Sequence, residues 1–230
     1  MATRIEGFFK DGTYAVGIGD YVVGTVVTDE GGVVKRWIND IYRIHHRRLH
    51  RLIVGLDVEW RPPTPPPSSG IDADKAEADA AAAPRRPAAP APPVAVLQLC
   101  VGPRCLVFHI LHADYIPAAL FDFLADDRFY FVGVGVHEDA AKLRAQYGLE
   151  VARPKDLRGL AAYKLGRQQL RAAGLPKLAW EVMGLHMHKP YQVRVSDWDA
   201  RRLTQPQIMY ACADAFVSFE VGRMLYDGEY

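Results

Sequence analysis

From Gly55 the chain reads GLDVEW, which places two carboxylates, Asp57 and Glu59, one residue apart in an otherwise apolar run. The lead-in from Arg51, RLIVGL, has the branched aliphatics of a buried strand bounded by a glycine. Alternate residues of a strand share a face, so Asp57 and Glu59 project together while Val58 points the other way. Neighbouring anions raise each other's pKa unless a cation lies between them. Charged side chains rarely enter a buried strand without a partner or a metal. Oxygen-only ligation suits Mg²⁺ or Mn²⁺ better than zinc. Taken alone, the pair fits ion pairing at a strand end equally well.

Further acids lie downstream. Asp139 follows the buried-strand pattern FVGVGV where a helix begins, so it is either a site residue or a first-turn acid stabilised by the helix dipole. Tyr210 and Asp214 stand four apart on one face of a C-terminal helix. The helix is otherwise apolar, with Ile208, Met209, Ala211, Ala215, Phe216 and Phe219. A buried aspartate there requires a partner or a metal. His137 sits near Asp139 and reads as a surface residue or as a support behind the site.

These residues need a framework. Residues 13–28 alternate around Gly19-Asp20 as a β-hairpin should, and Thr28 or Asp29 can cap a helix running from Val33 to Leu49. The Asp57 strand follows. Residues 61–93 are almost entirely Pro, Ala, Ser and charge, and are expected to form a disordered insertion. Strand patterns resume at 94–102 and 104–111, turning through Gly102-Pro103, so the insertion joins two neighbouring strands of one sheet. Helix, strand and helix follow at 116–126, 130–136 and 138–148, then helices at 156–166, 174–184 and 205–228. The expected fold is α/β, a mixed sheet flanked by helices on both faces. The expected organisation is an N-terminal hairpin and helix, 1–51, packed on a domain spanning 52–228.

The 230 residues are 50% hydrophobic and 24% charged, enough for a large core and too apolar for wholesale disorder. A formal net charge of +1 gives no global attraction to polyanions, so nucleic acid binding would need local charge or metal ions. Three cysteines without metal spacing suit a reducing compartment and buried packing. The N-terminus lacks an apolar signal core and no stretch is long enough to span a membrane, so nucleus and/or cytoplasm is expected. The cluster RIHHRRLHR at 43–51 reads as the solvated end of a helix rather than a nuclear address.

The order D-x-E, D, Y-x-x-x-D resembles the DEDD superfamily of 3′→5′ exonucleases, in the tyrosine subgroup (DEDDy). The resemblance is to its Werner-syndrome-type and ribonuclease D-like members and covers about residues 52–226. GLDVEW is similar to the first motif, FVGVGVHEDAAKL to the second, and VSDWDARRLTQPQIMYACADA to the third. Met209 occupies the place where the sister subgroup carries histidine, so the tyrosine form applies. The 61–93 insertion and the first 50 residues lie outside the family pattern.

The resemblance implies a ribonuclease H-like fold, a nucleic acid substrate and two divalent ions, Mg²⁺ or Mn²⁺. It implies that Asp57, Glu59 and Asp214 hold one ion, while Asp57 and, through water, Asp139 hold the second. Tyr210 would orient the attacking water. Trp60, Arg194, Ser196 and Trp198 are candidates for substrate contact. Trp60 and Trp198 can equally serve the core, and Arg201 and Arg202 can contact phosphate or merely solubilise a loop. The rival expectation is a catalytically weak binding or scaffolding protein that keeps the fold.

Overall fold

The computed structural model describes residues 3–9, 12–61 and 92–226. The expected hairpin forms from β2 (Tyr14–Ile18) and β3 (Tyr21–Thr28), turning at Gly19-Asp20. A strand that the sequence did not announce, β1 (Arg4–Phe8), pairs antiparallel with β2 through a register shift between Ile5 and Gly7. Helix α1 (Gly31–Ile44) buries Val34, Trp37, Ile38 and Ile41, at helical spacing. It stops five residues short of the expected end at Leu49, where a separate 3₁₀ turn spans Leu49–Arg51. Nor does Thr28 or Asp29 cap it by side chain to the first helical amides. Asp114, from a distant loop, accepts the Gly31 N–H at 2.7 Å instead.

The strand with the two carboxylates is β4 (Ile53–Trp60). It pairs antiparallel with β5 (Val94–Val101), which pairs with β6 (Arg104–Phe108) across the Gly102-Pro103 turn. Apart from Arg61, Pro92 and Pro93, the segment expected to be disordered lies outside the described residues. The chain continues through α2 (Ala118–Leu124), β7 (Tyr130–Gly133), α3 (Val136–Tyr147), β8 (Pro154–Asp156) and α4 (Leu157–Lys164). It ends with α5 (Leu175–Met183), α6 (Tyr191–Arg194) and α7 (Gln205–Tyr226).

The eight strands form one mixed sheet in the order β1-β2-β3-β6-β5-β4-β7-β8. The pairs β3–β6, β4–β7 and β7–β8 are parallel and the others antiparallel. Because β3 joins β6 directly, the sheet runs through the boundary expected near residue 51. The N-terminal strands extend the sheet rather than packing on it. α1, α2 and α3 enclose one hydrophobic core with Val34, Ile38, Leu97, Leu99, Phe123, Phe131 and Leu143. α4, α5 and α7 enclose another on the opposite face with Ile53, Ala161, Leu178, Cys212 and Phe219. Helices therefore cover both faces. The long helix α7 is buried around most of its circumference, as its sequence composition requires. Among the described residues, no helix is long and apolar enough to cross a membrane.

Candidate metal centre

Strand β4 lies between antiparallel β5 and parallel β7, and α7 packs across it. The close approach depends on Gly55. A Cβ at that position would meet the Ala215 carbonyl oxygen at 2.0 Å and the Phe219 nitrogen at 2.7 Å. With no side chain in the way, the helix backbone sits directly against the strand, two residues before Asp57. Asp57, Glu59 and Asp214 thereby offer carboxylate oxygens within 4.8 Å of one another. Glu59 and Asp214 are buried, at 9% and 1% exposure.

Asp139 is held by α3, the helix that follows β7. That strand ends sooner than expected, because Gly135 adopts a left-handed conformation (φ 80°) and begins α3. Asp139 consequently falls in the first turn of α3 and is buried. It stands outside the trio, but the Asp57 charge reaches it.

Burial dominates the electrostatics. It pushes the Asp139 carboxyl up to about 8, helped by Asp57. Glu59 is driven well above the carboxylate range, first by burial, then by Asp57 and Asp214. Asp57 also rises through burial, with Lys189 pulling the other way. Asp214 reaches about 7, raised by burial and moderated by Lys189. Tyr210 is lifted above the usual phenol range by burial and then by Asp214, so it stays un-ionised.

Lys189 had no signal in the sequence, since a single lysine in LHMHKP has no acid nearby at a meaningful spacing. Its Nζ stands 2.5 Å from Asp214 Oδ2 and 4.9 Å from the centre of the Tyr210 ring. Burial works against the ammonium, yet Asp214 and Asp57 outweigh it and hold the lysine charged. Neither Asp214 oxygen receives a hydrogen bond of good geometry. Buried, oxygen-only groups that already attract a cation fit a hard divalent ion.

The candidates for substrate contact divide. Arg194 is exposed, with its guanidinium 5.2 Å from the centre of the Tyr191 ring. Both residues line a cavity of ≈ 520 Å³ that also reaches Asp57 and Lys189. Trp60 is half-buried, and the Lys142 ammonium lies 3.1 Å from its ring centre, covering one face. Trp198 is fully buried, packs on Tyr210 and donates its ring N–H to the Arg194 carbonyl. It has no surface to offer a ligand, and its expected substrate contact is replaced by a core role. Ser196 is likewise engaged: its hydroxyl donates to the Val193 carbonyl and accepts from Gln207 Nε2. Buried Gln207 also accepts from the Thr204 amide and hydroxyl and donates to the Asp197 carbonyl. The S-x-W, L-T, Q pattern thus braces the entry to α7. Arg201, Arg202 and His137 are exposed and outside the cup.

Fold and site together define a mixed-sheet α/β protein in which a central strand and a long helix converge three carboxylates. A family model described as 3′-5′ exonuclease matches residues 83–227, more than half of the chain. An Arabidopsis thaliana protein named 3′-5′ exonuclease is 31% identical over 175 residues, 76% of this chain and 52% of the relative. The human exonuclease 3′-5′ domain-containing protein 2 is 39% identical over 134 residues, 56% of this chain and 21% of the relative. This chain therefore spans about half of the plant protein and about a fifth of the human one. Escherichia coli RNase D, described as an exoribonuclease involved in structured RNA processing, superposes with a TM-score of 0.65 at 17% identity. The superposition covers 89% of this chain and 45% of RNase D and bears on the fold alone. The chain belongs to the 3′-5′ exonuclease family.

Proposed function

We propose that this chain is a metal-dependent 3′→5′ exonuclease that releases nucleoside 5′-monophosphates from nucleic acid by two-metal-ion hydrolysis. The supporting observation is the convergence of Asp57, Glu59 and Asp214 within 4.8 Å, with buried Asp139 beside Asp57. Asp57, Glu59 and Asp214 would hold one Mg²⁺ or Mn²⁺, and Asp57 and, through water, Asp139 the second. Such ions neutralise the phosphodiester and leaving oxygen and lower the pKa of attacking water.

The residues around them have separate tasks. Tyr210, held un-ionised, orients the attacking water through its hydroxyl rather than taking its proton. Arg194 and Tyr191, in the cavity that reaches Asp57, offer a cation for phosphate and a ring face for a base. Trp60 packs against the core and carries Lys142 over its ring, which leaves Arg194 and Tyr191 as the exposed candidates for substrate contact. Residence in the nucleus and/or cytoplasm belongs to the same proposal, and the three free, buried thiols accord with a reducing compartment.

The test is digestion of 5′- and 3′-labelled DNA and RNA in parallel, with and without Mn²⁺. Stepwise shortening from the 3′ end with mononucleotide release is expected only with the ion. Asp57→Ala and Asp214→Ala should lower it to background, and wild-type rates in either variant would overturn the site. Binding of the strand without release would instead favour the catalytically weak alternative.

A further inference from the structure

Lys189 reaches the cup from residues 184–190, a stretch without helix or strand between α5 and α6. Its side chain is 26% exposed, while the Asp214 side chain it meets is 1% exposed. Two cavities adjoin it. The ≈ 520 Å³ space contains Asp57 and Arg194, and a second of ≈ 120 Å³ contains Tyr210, Asp214 and Met209.

Three carboxylates this close repel one another strongly when ionised. The ammonium on Asp214 Oδ2 relieves part of that repulsion. A divalent ion sharing the same oxygens would face a like charge at a similar distance, and the two cannot both remain. The adjoining cavities give the lysine somewhere to go, and its irregular segment lets it move without breaking a helix or strand.

We infer that Lys189 is a resident stand-in cation, seated on Asp214 in the metal-free protein and displaced into the neighbouring cavity when a divalent ion binds. The inference rests on the metal-dependent reading above. Under it, Lys189 sets the concentration of metal at which the centre fills, because every binding event first breaks its ion pair.

Amine labelling of the wild-type protein tests this directly, read by mass spectrometry during a Mn²⁺ titration. Lys189 should be unreactive in chelator and become labelled as Mn²⁺ saturates, while exposed Lys164 stays equally reactive throughout. Calorimetry on the same samples reports whether Mn²⁺ binds. No binding would refute the metal-dependent reading itself. Binding without a change at Lys189, or equal labelling in both states, would refute this inference alone. A Lys189→Met variant should bind Mn²⁺ about tenfold more tightly and melt lower than wild type in chelator. Lys189→Arg, which keeps the charge, should retain the wild-type affinity, and equal affinities in all three proteins would also overturn the inference.

Discussion

Tyr210 illustrates how burial decides the task of a side chain. A phenol held above its usual range by desolvation and by Asp214 stays protonated and makes a poor proton acceptor at any working pH, while under the proposed function its hydroxyl would orient a water molecule. Tyr210→Phe should therefore slow cleavage by about 10²-fold, in the range for losing one positioning hydrogen bond, with Mn²⁺ affinity unchanged. Calorimetry paired with single-turnover rates checks this, and an unaltered rate would remove Tyr210 from the mechanism. Spacing made the candidate acids legible, because D-x-E on a strand and Y-x-x-x-D on a helix each force a shared face. Lys189 was illegible for the same reason. Its contact with Asp214 spans a loop and has no periodicity that sequence could carry.

Among the elements, the crossing of β4 and α7 governs the site, and Gly55 governs the crossing. Gly55→Ala places a methyl group against helix backbone that cannot move aside like a flexible side chain. It should cost about 1–3 kcal/mol, lower the melting temperature by roughly 2–4 °C per kcal/mol, and lower activity more than stability explains, because Asp214 moves away from Asp57. Gly159, on α4, is the control: a Cβ there meets nothing within 4 Å, so Gly159→Ala should leave stability equal or slightly raised. Thermal melts of both variants decide it. The long apolar runs β4, β5, β7 and α7 were readable because burial writes itself as continuous hydrophobicity. β1 and β8 were not, since β8 is only three residues long and neither is buried enough to leave a pattern. Nor was the capping of α1 readable, because the residue completing its N-terminus, Asp114, lies 83 positions from Gly31.

At the scale of the whole molecule, the acidic cup links stability to pH. Asp214 near 7 and Asp139 near 8 hold protons that the unfolded chain, with carboxylates near pH 4, has released. Between about pH 4 and 8 the native state binds more protons, so the metal-free protein should lose stability as pH rises through that window. On the acid side, Asp126 and Asp156 lie below their usual range beside Arg128 and Arg158, and their contribution disappears as pH falls through those lowered values. Melting temperatures in chelator should pass through a maximum in mildly acid solution. With saturating Mn²⁺ the alkaline decline should flatten, because the ion replaces the protons. A decline of equal slope with and without Mn²⁺ would contradict the cup as a cation site. The pairing of Trp60 with Val94 has a different consequence, for the history of the gene. Sheet pairing already fastens both ends of the intervening stretch, so its length does not enter the register of the acids. Related genes can therefore gain or shed codons between these two positions while the acids stay in register, and this seam is where length should vary most freely from one lineage to the next.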